Sequence, residues 1–293
     1  MLSIATNVHR PGLLRTLLVL GRVSNLPTVW SNCLAGWLLG GSGSAFRFTL
    51  LCAGASLLYI GGMYLNDAFD AQFDQQHRRE RPIPSGAIRE RAVWQLGFTW
   101  LALGLLLLSS LGFTTAFLAL LLALTILLYD AIHKIFAFSP ILMAVCRSYV
   151  YLAAASATYD GITGLSIWSG LVLGCYVVGL SYLARRESTG VTLQYWPCLF
   201  LAAPLALALI INTREYRLPA LIVSALLVVW IAQCLRFTFW SRQRNIGRSV
   251  SGLLAGVVLV DWLAVGPGVM SLSAVFVTLF IVALLLQRFV PAT

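Results

Sequence analysis

Charge is scarce in this chain. Of its 293 residues only 10% are Asp, Glu, Lys or Arg, against about a quarter in an ordinary soluble domain, and 59% are hydrophobic. That balance excludes a soluble globular fold. No long polar stretch stands at either end, so no extended soluble domain is expected. The segment before Leu13 lacks a small-residue cleavage site behind an apolar core, so it does not read as a signal peptide. The cysteines carry no metal-ligand or disulfide spacing. Cys33, Cys52, Cys146, Cys175, Cys198 and Cys234 all sit inside apolar runs and read as small core residues. A net charge of +10 would suggest nucleic acid in a soluble protein. Here the basic residues flank apolar runs, which is the mark of membrane topology, and no nucleic-acid partner is expected.

What is present is a succession of apolar runs. A helix that crosses a bilayer needs about 20 mostly apolar residues. Segments 19–40, 48–65, 93–111, 114–132, 140–157, 167–184, 196–211, 219–239, 252–265 and 271–286 meet that need or come near it. Asp261 interrupts the ninth, and Gly266-Pro267-Gly268 leaves only a short joint before the tenth. The expected fold is an all-α polytopic membrane protein. Nine, possibly ten, transmembrane helices surround a central cavity in a single domain covering 1–293. With a cytoplasmic amino terminus, loops after even-numbered spans carry Arg78, Arg79, Arg81, Arg89, Arg91, Lys134, Arg185, Arg186, Arg242, Arg244 and Arg248, while the other side has only Arg47, Arg214 and Arg217. The basic bias favours that orientation. The chain is then a multi-pass protein of an inner or plasma membrane, in contact with lipid, with both termini cytoplasmic if there are ten spans.

Half of the ten acidic residues fall between Asp67 and Glu90. If the second span continues as a helix past Leu65, Asn66, Asp67, Asp70 and Asp74 share one helix face. Three carboxylates so close repel unless a cation or a set of arginines neutralises them, and an all-oxygen ligand set suits Mg²⁺. Mg²⁺ keeps part of its shell for water and phosphate, so a magnesium-bridged phosphate or diphosphate is the natural guest. Arg78, Arg79 and Arg81 follow at once and offer forked hydrogen bonds to the remaining phosphate oxygens. The alternative is a solvated loop whose acids cap a helix and whose arginines only obey the topology rule. Pro82 and Pro84 end any helix, and Ser85-Gly86 reads as a turn.

Asn66-Asp67-x-x-Asp70-x-x-x-Asp74 resembles the first aspartate-rich motif of the UbiA superfamily of intramembrane prenyltransferases. The stretch Arg81-Pro82-Ile83-Pro84-Ser85-Gly86 extends the likeness, as do Arg22-Val23-Ser24-Asn25-Leu26-Pro27 and Tyr129 with Lys134. Such enzymes hold an isoprenyl diphosphate through Mg²⁺ between two acidic motifs on cytoplasmic loops, ionise it, and join the allylic cation to a lipophilic or aromatic acceptor. The resemblance implies catalytic loops at about 66–90 and 181–195. It implies Mg²⁺ on Asn66, Asp67, Asp70 and Asp74 with Glu187 from the facing loop, and diphosphate on Asn66, Arg78, Arg79, Lys134, Arg185 and Arg186. The second motif departs from the family pattern, since Glu187 is the only acid in 181–188. Arginines there can take over neutralisation of the leaving group. The pattern around Tyr182, Tyr129 and Arg147 is most like the EboC branch, tied to secondary metabolites and cyclitol-type head groups. The acceptor is then a small aromatic, cyclitol or other hydroxylated molecule.

The aromatic candidates for facing the cation are Phe69, Phe73, Tyr64, Tyr129, Tyr149, Tyr151 and Tyr182, each of which fits membrane packing as well. Asn25, Asn32, Tyr129, Arg147 and Tyr182 are the candidate acceptor lining. Arg147 and Asp261 lie inside spans, where an ionisable group is costly and faces the bundle interior. Arg147 suits an acceptor or a structural ion pair equally, whereas Asp261 suits structure better. Asp130 fits catalysis, by orienting or deprotonating an acceptor hydroxyl, and equally a helix-end salt bridge to Lys134 at i+4. Three rivals stand beside the transferase: a transporter, which calls for an internal repeat that is not found, a phosphatidyltransferase handling CDP-linked alcohols, whose Asp-Gly-x-x-Ala-Arg signature is absent, and a non-catalytic protein that binds isoprenoid diphosphate.

Overall fold

The computed structural model describes residues 12–136, 138–189, 195–211, 217–241, 244–266 and 270–292; the side chains of 186–189 and 270 are outside that description. Among the described residues the chain is helical throughout. In order come α1 (Leu13–Leu20), α2 (Leu26–Leu39), α3 (Ala45–Phe69), α4 (Ala71–His77), α5 (Glu90–Ser109), α6 (Phe113–Ile132), α7 (Ser139–Ser156), α8 (Gly164–Thr189), α9 (Ala203–Ile211), α10 (Arg217–Phe239), α11 (Ile246–Val265) and α12 (Met270–Leu286). Six of these are long and apolar enough to cross a membrane: α3, α5, α6, α8, α10 and α11.

The other expected spans are shorter or interrupted. The first is broken, because α1 stops at Leu20 and α2 begins at Leu26, with a 3₁₀ turn over Val23–Asn25 between them. Arg22 takes a left-handed backbone at φ 40° in the break, and Pro27 stands in the first turn of α2, where its missing N–H leaves no bond unmade. The seventh opens as a 3₁₀ segment over Trp196–Ala202 before α9. The second behaves as its acid stripe requires. Helix α3 runs through Phe69, Asp70 forms the joint, and α4 continues to His77.

Helices α3 and α5 pack backbone to backbone. A Cβ on Gly61 would lie 2.9 Å from the Gly97 carbonyl oxygen, and one on Gly104 would lie 2.8 Å from that of Gly54. Small residues allow this approach within a bilayer, where packing rather than the hydrophobic effect holds helices together. Gly61→Leu is therefore expected to destabilise the protein by about 1–3 kcal/mol or more through overpacking, seen as a lower unfolding temperature in detergent. Gly164→Ala, with nothing within 4 Å of the added carbon, serves as the control. An equal response at both positions would refute this account of the seam.

Among the described residues two large apolar cores result, beside a small cluster of Leu20, Tyr64, Ala68 and Val93. One gathers Trp37, Leu58, Leu65, Leu101 and Leu122 from α2, α3, α5 and α6. The other gathers Leu173, Tyr176, Leu227 and Leu253 from α8, α10 and α11. Helices α2 and α7 contribute to both, through Ala35 and Tyr151 on one side and Cys33 and Ala154 on the other. They form the seam between the two large cores, and the fully buried Thr28, Ser31, Asn32 and Asp261 lie along it.

Candidate active site

The acid stripe lies where α3 ends. Asn66 and Asp67 occupy its last turn, Asp70 the joint, and Asp74 the middle of α4, so three of the four are buried and Asp70 is nearly so. Cations from distant segments meet them. One oxygen of Asp67 accepts from Arg22, in the break of the first helix, and from Arg81, each at 3.3 Å. Asp70 is paired with Lys134 at 2.7 Å and with His133 at 3.4 Å, both just past the end of α6. Arg22 also donates to Asn66 at 3.1 Å, and Asn66 donates in turn to Asp130 at 3.0 Å.

These pairings set the protonation of the groups outside the membrane spans. Burial pushes the Asp70 carboxyl up, but the hydrogen bonds from His133 and Lys134 outweigh it and hold Asp70 below its ordinary value. Burial alone would lower His133; its bond to Asp70 reverses that and raises it. Burial, together with the neighbouring Arg22, lowers Arg81. Asp74 stands apart, because its carboxylate makes no hydrogen bond or ion pair among the described residues. Burial and the nearby Asp70 and Asp67 carboxylates raise it, against the pull of Arg81.

A hard divalent cation fits this donor set. Asp74 is a buried carboxylate with no partner, beside two further carboxylates and the Asn66 amide, and a bound cation would relieve the repulsion among them. Among the described residues no three His, Cys, Asp or Glu groups already converge in a metal-ligand arrangement, because the Asp67 and Asp70 oxygens are turned to protein cations.

The remaining candidates divide. Lys134, the chain's single lysine, sits on the acids and also stands 3.9 Å from the centre of the Phe73 ring. The Tyr129 ring stacks on His133, next to the same cluster. Asp130 is buried at 4% exposure and bonds Asn66 rather than Lys134, so the i+4 salt bridge does not form: Lys134 is drawn to Asp70 instead. Arg79 is exposed and donates to the Gln75 backbone carbonyl, while Arg78 pairs with no acid among the described residues but lies near enough to Arg81 to lower its pKa. Arg185 donates to the Phe136 carbonyl and, at 3.0 Å, to Ser139, which pins the segment that carries His133 and Lys134. Tyr182 lies beside Trp196. The Arg186 and Glu187 side chains lie outside the described residues.

Three of the expected acceptor-lining residues sit deeper. Asn25 donates to the Ala292 carbonyl at 3.0 Å and to Tyr59 at 3.2 Å. Arg147 donates to Asn32 at 2.7 Å and to Thr28 at 3.1 Å. Asn32 passes the contact on to Asp261 at 2.7 Å, and Asp261 also accepts from Ser31 and from Tyr151 at 2.9 Å. The aromatic candidates scatter as well. Phe69 faces outward against Trp94, Tyr64 ties α3 to Leu17 of α1, and Tyr151 is spent on Asp261. Sequence reasoning gave Arg22 no role in the site and left His133 out; their only signal was a motif-like stretch around Arg22 and the step from Tyr129 to Lys134.

Residues 25–291 match the UbiA prenyltransferase family. The chain belongs to that family. Among curated relatives, the digeranylgeranylglyceryl phosphate synthase of Methanosarcina mazei is 28% identical over 164 residues, covering 47% of this chain and 56% of the relative. That of Ignicoccus hospitalis is 36% identical over 96 residues, covering 33% and 31%. The chain thus spans roughly half or less of the length of the curated relatives it matches. Among solved structures, a UbiA homolog from Archaeoglobus fulgidus bound to GPP and Mg²⁺ superposes with a TM-score of 0.63 at 12% identity, over 91% of this chain and 99% of that one. At that identity the likeness shows the all-helical UbiA fold.

Proposed function

We propose that this protein transfers an isoprenyl group from an isoprenyl diphosphate to a hydroxyl-bearing acceptor, at the end of the bundle where α3 meets α4. The observation that carries the reading is the acid group Asp67, Asp70 and Asp74, faced by Arg22, Arg81 and Lys134 from three separate segments, within a chain that matches the family over residues 25–291. Asp67, Asp70 and Asp74, with Asn66 and with Glu187 from the end of α8, would hold Mg²⁺, which when bound neutralises diphosphate oxygens and makes the diphosphate a better leaving group.

The chain's own cations do the rest. Lys134, Arg22 and Arg81 exchange carboxylate partners for phosphate oxygens as the substrate enters, and Arg78, Arg79, Arg185 and Arg186 add positive charge around the departing diphosphate. The carbon–oxygen bond to diphosphate breaks with both electrons on the leaving group. The acceptor oxygen then bonds to the allylic carbon and releases its proton. The Phe73 ring, under Lys134 and stacked on His77, and the Tyr129 ring, stacked on His133, stand beside the acids, and a ring face freed when Lys134 or His133 moves to the substrate would suit an allylic cation. Shorter apolar helices beside the six long ones complete a bundle of nine or ten spans, with the site and both termini on the cytoplasmic side, as the basic residues favour.

The names of the curated relatives favour a glyceryl hydroxyl as acceptor over an aromatic ring. The cyclitol-type head groups of the EboC branch share that hydroxyl chemistry, and a second reading is not needed to accommodate them. The test is diphosphate release from geranylgeranyl diphosphate by purified protein in detergent, with and without Mg²⁺, in the presence of a membrane extract supplying acceptors. Release that needs both Mg²⁺ and acceptor, with a prenylated product by mass, is expected. Tight Mg²⁺-dependent binding without release across several chain lengths and acceptors would overturn it in favour of a binding protein.

A further inference from the structure

Asp130 occupies the last turn of α6 with 4% of its surface exposed. One carboxylate oxygen accepts from the Asn66 side-chain amide at 3.0 Å. The other is fully enclosed and has no hydrogen-bond partner among the described residues. The outer nitrogens of the cations around it bond elsewhere, while the Arg22 Nε is likewise buried without a hydrogen-bond partner among the described residues. Lys134, one turn further along, is drawn to Asp70 at 2.7 Å. The His133 ring addresses Asp70 with one nitrogen and backbone carbonyls of Tyr129 and Asp130 with the other. Arg22 reaches the far side of Asn66 and Asp67. A buried acceptor left without a donor is costly, and folded proteins rarely keep one unless a ligand or water meets it.

We propose that Asp130 is a specificity-determining residue, whose unmet oxygen receives a hydroxyl of the acceptor and turns away acceptors that bring an anionic group to that position. A carboxylate only accepts hydrogen bonds, so its complement is an O–H donor. A phosphate or carboxylate there would face a like charge in a region with little water to screen it, and repulsion of the wrong partner is a source of specificity in its own right. Asn66, bonded to the other Asp130 oxygen, shares the Arg22 guanidinium with Asp67, so the hydroxyl would stand close to the acids proposed to hold the diphosphate. The inference rests on the prenyl-transfer reading for that placement, and it narrows the acceptor to a neutral polyol-type head group, unlike the phosphate ester that the relatives' names contain.

The experiment compares a prenylglycerol with the same prenylglycerol phosphate, a pair that differs only in the anionic group. Both are measured as acceptors with geranylgeranyl diphosphate and, separately, by equilibrium binding to the purified protein. The neutral probe is expected to bind about tenfold or more tightly to the wild type. Asp130→Asn keeps the size and removes the charge, and is expected to weaken binding of the neutral probe and bring the ratio to within about threefold. A wild type that prefers the phosphate ester overturns the proposal whether or not the variant folds. So does an unchanged ratio in a variant that still binds geranyl diphosphate with Mg²⁺. Failure of the wild type to bind geranyl diphosphate with Mg²⁺ marks failure of the prenyl-transfer reading instead, and the binding ratio of the two probes is still read without it.

Discussion

Asp67→Asn is expected to weaken Mg²⁺-dependent binding of geranyl diphosphate by about a hundredfold or more, the scale on which removing one member of a buried charge cluster acts. Asp67 has a double duty. One of its oxygens accepts from both Arg22 and Arg81, so it fixes two guanidinium groups, one from either side of it in the sequence, and under the proposed function it would also offer a ligand to the metal. Asn keeps the shape and one acceptor but loses the charge that holds both arginines. Arg22 and Arg81, already near enough to depress the second of them, would then repel across a neutral amide. Glu80→Gln, on an exposed neighbour, is the control for a change of net charge alone. Calorimetric binding with and without Mg²⁺ reads the difference. A folded Asp67→Asn protein that binds within threefold of the wild type would remove Asp67 from the metal site.

Much of this arrangement was legible in the sequence, and the reason is local. The spacing of Asn66, Asp67, Asp70 and Asp74 is a helical pattern, so the second apolar run and its polar continuation could be read as one helix face without knowing any neighbour. Lys134 came to the site through the family resemblance, and its place at the end of an apolar run spoke only to topology. The counter-ions were less legible. Arg22 is 45 residues from Asp67, and its approach depends on a helix break that an uninterrupted hydrophobic count over 19–40 conceals. The i+4 spacing of Asp130 and Lys134 pointed to a salt bridge within one helix, yet Lys134 lies past the last turn of α6 and meets a better-placed carboxylate across the joint. Hydrophobic length was similarly blind to where a run is helical from its first residue, as at Trp196–Ala202, which is a 3₁₀ segment.

The largest stability effect is expected at the seam between the two cores. Arg147 is 9% exposed and Asp261 fully buried, and they are joined through Asn32 rather than by a direct ion pair. Thr28, Ser31 and Tyr151 complete the ring of partners, so α2, α7 and α11 are tied at one depth. Arg147→Met leaves Asp261 charged and buried with only neutral donors, and Asp261→Leu leaves Arg147 in the same position. Each is expected to cost about 3–5 kcal/mol, the loss found when one member of a buried pair is removed. The double variant Arg147→Met/Asp261→Leu removes both charges and fills the space with apolar atoms, so it is expected to lie closer to the wild type than either single change, with a coupling of about 0.5–3 kcal/mol. Unfolding in detergent measures all four corners of the cycle. Additive losses would show that the two charges do not sense each other through Asn32. The same proteins separate the two roles that the sequence left equal for Arg147. A structural tie predicts that the double variant regains stability and acceptor KM together, whereas an arginine that touches the acceptor predicts a raised KM that restored stability does not repair.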